Sequence, residues 1–569
     1  MSGLTQRAAA WRDADPDPRT RAELDQLLAS GNTAGLAERF EGSLAFGTAG
    51  IRAEIGAGPM RMNRMVVGRV AAGLAHYITA EDAAAGVVIG YDGRTNSSVF
   101  AQDLGRILSR AGVKVSLLPG PLPTPVLAFS VRNRHAAYGL MVTASHNPRQ
   151  YNGIKVYVRD GGQLLPPQDE QIAAAIDAVD PLHLPEDWSQ GPFDFTPADD
   201  SVTAYVLAVA AGGSPDPGSK QLKVVHTALH GVGDGTLRAV FEQAGWPAPI
   251  PVTAQQEPDP RFPTAHYPNP EIPGVLDLAQ QTAEQAGADL VLANDPDADR
   301  LAVMVPDQGT WRALTGDELG ALLGDAVLSR PVSASAVVAT TVVSGSLLRR
   351  LADAAAVPCV TTLTGFKWIA RAGGDDHTLI YGYEQALGYA VRPDLVADKD
   401  GISAALLVLR LATDLAQDGR TILDRLGDLA VTHGLYVTGL RTLTGDLIRL
   451  NDAVESLRKA PPASLAGRPV AVTDLEADTP GVVDLAGGYG ERSPDRPLPP
   501  ADVLIWHLGD DARVMIRPSG TEPEIKVYAE VVRPVGSRSE LAAAQADAAA
   551  RVDELMAAAA AALEPGDKS

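Results

Sequence analysis

The sequence predicts an α/β protein of several domains, closing in a smaller α+β domain. Three observations carry this. From residue 46 onward, short apolar runs alternate with alanine-rich helical stretches, the pattern of strands joined through helices. The chain has 569 residues, and at roughly 100–200 residues per domain that length predicts about three to five domains. Beyond residue 441 the alternation changes to strands followed by one long helix.

Taken in order, residues 1–45 read as a helical, peripheral N-terminal extension. Asp15-Pro-Asp-Pro18 breaks the run, and Leu24, Leu27 and Leu28 recur at helical spacing within Arg19–Ala29. Phe46-Gly-Thr-Ala-Gly-Ile-Arg52 is a glycine-rich turn ending in a cation. Strands are predicted at Gly86–Tyr91, Val113–Leu118, Ala137–Val142 and Ile154–Val158. Stretches rich in Pro, Asp and Gly at 184–200 and 212–219 place a boundary near 200. A second block, 201–314, carries strands Leu222–His226 and Leu290–Ala293. A third, 315–440, carries Ala336–Val343 and Thr378–Tyr381. The last, 441–569, carries Val503–His507, Ile525–Val532 and a helix from Ser539 to Leu563 whose apolar positions keep no heptad. The first block is then 46–200.

Bulk properties narrow the function. Hydrophobic content of 45% and charged content of 21% are those of ordinary globular protein. No apolar run approaches the roughly 18 residues of a membrane span, and the first residues carry no apolar signal region. The net charge of −22, from 48 basic and 70 acidic residues, argues against nucleic acid and anionic membrane as partners. The single cysteine, Cys359, allows no intrachain disulfide and fits a reducing, cytoplasmic compartment. Its setting, Val357-Pro-Cys-Val360, reads as a core thiol.

Two segments carry most of the chemistry. Thr143-Ala-Ser-His-Asn-Pro148 follows a predicted buried strand, so Ser145 falls at the C-terminal edge of a sheet, where ligands of open α/β sheets bind. Asp295-Pro-Asp-Ala-Asp-Arg300 follows another strand and sets three carboxylates at alternate positions. That spacing suits one hard divalent ion. An EF-hand shares the spacing but needs Gly at its sixth position and Glu at its twelfth, where this chain has Arg300 and Pro306. A metal beside a serine points to phosphoryl transfer through that serine, with Arg300 able to hold a phosphate in two contacts. Two further segments are weaker. Arg517-Pro-Ser-Gly-Thr-Glu522, followed by Lys526, has the makings of a phosphate cradle. Thr364-Gly-Phe-Lys367 and Gly382-Tyr-Glu384, with Asp398-Lys-Asp-Gly401 after them, offer groups for sugar hydroxyls.

Together these segments resemble the α-D-phosphohexomutase superfamily, the phosphoglucomutases and phosphomannomutases. Gly50-Ile-Arg52, Tyr151-Asn-Gly-Ile-Lys155, Leu363-Thr-Gly-Phe-Lys-Trp368 and Arg517–Glu522 agree with it, and the match spans about 46–530. The resemblance implies an α/β fold of four domains around a central cleft: three similar α/β domains with mixed sheets, then the smaller α+β domain. It implies a phosphoserine at Ser145, and Mg2+ held by Ser145, Asp295, Asp297 and Asp299. Lys155, and with it Lys399, would serve as general acid and base. Arg52, His146 and Arg300 would hold the reacting phosphate. Lys367, Glu384, Arg517, Ser519, Gly520 and Thr521 would bind the sugar and its second phosphate. The expected reaction interconverts hexose 1- and 6-phosphates of glucose and/or mannose, with hexose 1,6-bisphosphate as intermediate and activator. The partner is a small phosphosugar, the assembly a monomer or homodimer, and a mobile C-terminal domain would close on the turning intermediate.

One departure stands out. The family's sugar loop usually carries Ser two residues after the Glu, where this chain has Ala386, and Gln385 stands where many members have Glu. One sugar hydrogen bond, worth about 0.5–1.5 kcal/mol, is lost. This favours as alternatives a phosphopentomutase acting on ribose or deoxyribose 1-/5-phosphate, and a non-catalytic phosphosugar-binding regulator.

Overall fold

A computed structural model describes residues 3–185, 187–476, 500–518 and 524–563. The chain forms two compact units, Met1–Leu314 with Ala386–Thr413, and Thr315–Gln385 with Asp414–Ser569.

The first unit opens with helices Gly3–Ala14, Pro18–Ala29 and Thr33–Phe40. Asp17 caps the second by accepting from the Arg19 amide, with Pro18 at its first position. These helices are less peripheral than their sequence position suggested. Ala8, Trp11, Leu24, Leu36 and Phe40 are buried in the same core as the strands that follow.

The first sheet holds strands β1 (Ile51–Glu54), β2 (Val87–Tyr91), β3 (Val115–Pro121), β4 (Tyr138–Val142), β5 (Tyr151–Val158) and β6 (Thr196–Pro197), in the order β1-β5-β4-β2-β3-β6. β4, β2, β3 and β6 run parallel, whereas β5 is antiparallel to both β4 and β1. β4 is buried along its whole length, as befits a central strand covered on both faces. Gly50 is required where it stands. Its φ is +83°, and a Cβ there would lie 1.8 Å from the Ile154 carbonyl oxygen.

The second sheet holds β7 (Val224–Thr227), β8 (Ile250–Pro251), β9 (Leu290–Ala293), β10 (Ala302–Asp307) and β11 (Thr310–Ala313), in the order β11-β10-β9-β7-β8. β7, β8 and β9 are parallel, and β10 turns back antiparallel to β9. The two sheets thus place their key loops alike: the serine segment joins β4 to antiparallel β5, and the aspartate segment joins β9 to antiparallel β10.

In the second unit, β12 (Ala336–Thr341) lies between β13 (Cys359–Thr362) and β14 (Thr378–Glu384), parallel to both. Helix Gly316–Leu328 begins with a capping box between Thr315 and Glu318. Gly316 is needed because a Cβ there would meet the Gln385 carbonyl oxygen at 1.8 Å. Cys359 is buried, and burial pushes its thiol up to about 12, so the core-thiol reading holds. The last sheet is antiparallel, in the order Leu435–Thr444, Glu524–Arg533, Ala512–Pro518, Leu504–His507, Ala471–Asp474. Helix Leu541–Leu563 packs on it through Ala548, Val552, Leu555, Ala559 and Leu563, a stripe of helical period against a sheet. Among the described residues no helix is long and apolar enough to cross a membrane.

The sequence missed Leu435–Thr444, which pairs with Glu524–Arg533 over ten residues. Its polar threonines and Gly439 hide the alternation that marks a strand. It also placed Arg517 in no strand, whereas Arg517 and Pro518 end the strand Ala512–Pro518.

Candidate active site

Within the first unit, the loop after β4 turns sharply at Ser145, whose φ of +50° lies in the left-handed region that a non-glycine residue enters only when its surroundings fix it. The fixing is visible. Arg94, buried just beyond the end of β2, donates to the carbonyls of Ser145 and Asn147 at 2.5 Å each and to Pro148 at 2.9 Å. Thr143 accepts from the Ser145 amide at 2.9 Å and donates to Asp92 at 2.7 Å. Arg52 on β1 donates to the Asn147 side chain at 2.5 Å. The loop is therefore held by its backbone, which leaves the Ser145 hydroxyl outside the restraining network.

That hydroxyl donates to Asp295 Oδ2 at 2.8 Å and lies 3.2 Å from His146 Nδ1. Asp295, Asp297 and Asp299 are fully buried, and one ligand atom from each lies within 4.8 Å of the others. Ala298, with φ of +55°, makes the turn that brings them together. The Asp297 and Asp299 carboxylates each accept side-chain hydrogen bonds through one oxygen, Oδ2. Asp297 Oδ2 accepts from Thr124 Oγ1 at 2.6 Å and from Lys155 Nζ at 2.6 Å. Asp299 Oδ2 faces Lys155 Nζ at 2.7 Å and Lys399 Nζ at 3.3 Å. The other oxygen of each, Oδ1, is buried with no hydrogen-bond partner among the described residues. Carboxylate oxygens buried without a hydrogen bond are costly unless a cation meets them; Arg300 Nε stands 4.0 Å from Asp299 Oδ1, beyond hydrogen-bond reach, so the donor set fits one hard divalent ion.

The electrostatics agree. Burial, with Asp297 and Asp299 beside it, raises the Asp295 carboxyl well above the ordinary range. Burial opposes the Asp299 charge too, but Lys155, Lys399 and Arg300 outweigh it and hold that carboxyl low. Burial disfavours the Lys155 ammonium, and Asp297, Asp299 and Asp398 more than restore it. His146 is pushed well below its usual value by burial and then by Arg300 and Arg52, so its ring is neutral. Arg300 lies 3.5 Å from Glu271. Lys155 and Tyr157 share one face of β5, and the Tyr157 hydroxyl donates to Asp398 at 2.8 Å, next to Lys399.

The structure thus brings together Ser145, His146, Lys155, Asp295, Asp297, Asp299 and Lys399. Arg52 joins them through Asn147. Lys367, Glu384 and Arg517 belong to the second unit. Lys367 Nζ lies 5.4 Å from the centre of the Trp368 ring, and Glu384 ends β14. Arg517 stands directly across from Lys526 on the neighbouring strand. Two cations paired across strands repel unless an anion joins them, and Glu524 supplies one, its Oε1 lying 3.2 Å from Lys526 Nζ. Ser519, Gly520 and Thr521 lie outside the described residues. Sequence reasoning passed over Thr124, Asp92 and Arg94. The latter two had a usable signal, since Asp92-Gly-Arg94 directly follows a predicted strand at the edge where ligands bind. Thr124 had none, because its contact with Asp297 spans 173 residues.

Four family models match in sequence: phosphoglucomutase/phosphomannomutase alpha/beta/alpha domain I over 43–183, domain II over 204–309, domain III over 315–430, and the C-terminal domain over 489–557. This succession defines an intramolecular phosphotransferase. The chain belongs to the phosphoglucomutase/phosphomannomutase family, in the α-D-phosphohexomutase superfamily. It is 40% identical to a probable phosphomannomutase of Haemophilus influenzae, over 82% of this chain and 93% of that one. It is 33% identical to the phosphopentomutase of Mus musculus, over 94% of this chain and 91% of that one. A putative phosphomannomutase from Thermus thermophilus has the same fold, with a TM-score of 0.64 and 25% identity over 90% of this chain and 99% of that one. The expected superfamily, fold class and enzyme class are all borne out.

Proposed function

We propose that the protein interconverts hexose 1-phosphate and hexose 6-phosphate, of glucose and/or mannose, through a phosphoserine at Ser145 and a hexose 1,6-bisphosphate. The observation that carries this is the Ser145 hydroxyl, donating to buried Asp295 beside two further buried carboxylates that each keep one oxygen without a hydrogen bond among the described residues.

With one serine and one metal site, both ends of the sugar must visit the same place. Phosphoserine gives its phosphoryl group to a sugar hydroxyl: the P–O bond to Ser145 Oγ breaks and a new one forms to the sugar. The hydroxyl loses a proton and Oγ gains one. Lys155 starts protonated between Asp297 and Asp299, ready to give a proton, and Lys399 is the paired acid/base on the same carboxylate. Neutral His146, with Arg52 and Arg300, holds the phosphoryl oxygens. Asp295, Asp297, Asp299 and a phosphoserine oxygen would hold Mg2+, which when bound offsets charge on the transferring group. The bisphosphate then turns end over end and returns its other phosphate to Ser145. Glu384 and Lys367 grip the sugar, and Arg517 with Ser519, Gly520 and Thr521 grips the phosphate that is not reacting. The buried thiol and acidic surface fit a cytoplasmic enzyme.

A second reading, phosphopentomutase, is favoured by the Mus musculus relative, which aligns with 94% of this chain, and by Ala386 in the sugar loop. Phosphorus NMR with magnesium and a trace of hexose 1,6-bisphosphate decides. Glucose 1-phosphate, mannose 1-phosphate and ribose 1-phosphate are offered separately. Conversion of a hexose phosphate supports the first reading, and preference for ribose supports the second. No conversion of any would sink both.

A further inference from the structure

Two aspartates flank Lys399, and both are engaged inside the first unit. Asp398 and Asp400 are each 1% exposed. Asp398 Oδ1 accepts from the Lys399 amide at 2.8 Å. Its Oδ2 accepts from the Tyr157 hydroxyl and from Gln163 Nε2, at 2.8 Å each. Asp400 accepts from the Tyr205 hydroxyl at 2.9 and 3.0 Å. Its Oδ1 also accepts from the Ile402 and Ser403 amides at 3.0 and 3.1 Å, which caps helix Gly401–Gln417. The backbone that carries Lys399 is therefore anchored on both sides.

Lys155 is braced by two short contacts of its own, at 2.6 and 2.7 Å to Asp297 and Asp299. Lys399 Nζ stands farther off, 3.3 Å from Asp299 Oδ2. A lysine ammonium ends a flexible four-carbon stem, so its place depends on where the backbone is held. Tyr157 is fully buried and lies two residues beyond Lys155 on the same face of β5. One strand thus carries Lys155 and the anchor of Lys399. Burial, with Asp398 beside it, raises the Tyr157 phenol well above its usual value, so the hydroxyl stays protonated and donates. The matching domain III model runs over 315–430, yet Ala386–Thr413 belongs to the first compact unit, with Ser145 and the three aspartates. The tyrosine contacts are among those that fasten it there.

We propose that Tyr157 and Asp398 are positioning residues for Lys399: the tyrosine hydroxyl holds the carboxylate, the carboxylate holds the Lys399 backbone, and the ammonium is thereby kept beside Asp299. The inference rests on the mutase reading above, in which Lys399 is the paired acid/base. Tyr157 and Asp398 make and break no bond in the reaction. They act on the rate of a proton transfer through the place of the group that performs it. A misplacement of about 1 Å at a reacting centre can change rates by about a hundredfold. Substrate binding, which does not pass through Lys399's backbone anchor, is left as it was.

The test measures kcat and KM for the favoured sugar 1-phosphate, and Mg2+ affinity by calorimetric titration, in wild type, Tyr157→Phe, Gln163→Leu and Tyr205→Phe. Tyr157→Phe removes only the hydroxyl. It is expected to lower kcat about tenfold while KM and Mg2+ affinity stay within about twofold of wild type. Gln163→Leu removes the other donor to the same oxygen, at a half-buried position. It is expected to show the same pattern at about threefold, and stands as the test if Tyr157→Phe fails to fold. Tyr205→Phe removes an equally buried hydroxyl from Asp400, which the Ile402 and Ser403 amides still hold, so its kcat is expected within about twofold of wild type. A folded Tyr157→Phe with wild-type kcat overturns the proposal. So does a fall in kcat that Tyr205→Phe matches, which would leave a structural role only. A loss of Mg2+ affinity equal to the loss of kcat also overturns it, since the contacts would then act on the carboxylate cluster and not on Lys399. Failure of wild type to convert any sugar phosphate instead sinks the mutase reading, and the inference with it.

Discussion

Thr124→Val isolates one contact of the carboxylate cluster. Thr124 is fully buried, and it holds Asp297 twice: its amide donates to the Asp297 carbonyl at 2.9 Å and its hydroxyl to Oδ2 at 2.6 Å. Valine keeps the shape and the amide and removes only the hydroxyl. A hydrogen bond to a charged group is worth about 1.5–3 kcal/mol. At about 1.4 kcal/mol per tenfold, complete loss of that orientation would weaken a divalent ion by roughly ten- to a hundredfold, the range seen when an outer partner of a metal ligand is removed. Lys155 still pins the same oxygen at 2.6 Å, so the expected loss lies near the lower end, about tenfold. Calorimetric titration with Mg2+ measures it directly, with Thr124→Ser, which keeps the hydroxyl, expected to bind as wild type. An Mg2+ affinity for Thr124→Val within about twofold of wild type would refute the reasoning, since the carboxylate would then need no help from Thr124.

Three other outcomes are expected. Ser145→Ala lowers turnover by about three orders of magnitude or more while the apparent Tm stays near that of wild type; a wild-type rate would end the phosphoserine model. Asp317 is half-buried beside the Gly345 amide and the Tyr383 hydroxyl, and its loss of water raises its carboxyl to about 6. Its contribution to stability is present below the ordinary carboxyl value near 4 and is lost as pH rises through about 6, an effect of about 3 kcal/mol. Asp317→Asn keeps the Oδ1 acceptor without the charge, so its apparent Tm gains on wild type between pH 4 and 7; a difference that does not vary with pH would show that Asp317 does not titrate there. Gly50→Ala forces a left-handed residue against the Ile154 carbonyl and destabilises by about 2–5 kcal/mol; an unchanged denaturation midpoint would contradict the close approach.

The site was legible wherever its residues lie close along the chain. Asp295, Asp297 and Asp299 could be read as one metal cluster because alternate spacing in a turn points carboxylates together whatever surrounds them. Ser145 could be read because it follows a fully apolar run. Strand ends were legible to within a few residues for β4 and β9, where apolar runs stop abruptly. Leu435–Thr444 was not, because an edge strand carrying threonine and glycine draws its identity from its neighbour, and that neighbour is about ninety residues on.

The sequence by itself determined the class of enzyme, an intramolecular phosphotransferase: a hydroxyl, three carboxylates able to hold a hard cation, and several cations each sit in a short segment that can be read locally. Only the tertiary structure decided how those segments work together. It set Lys155 and Lys399 on a single oxygen of Asp299, gave Thr124 to Asp297 and Arg94 to the Ser145 loop, and set Tyr157 on Asp398, beside Lys399. Those contacts cross from 51 to 241 residues of chain. They exist because burial strips water from charged and polar groups, and each must then find its partner wherever the fold brings one within reach.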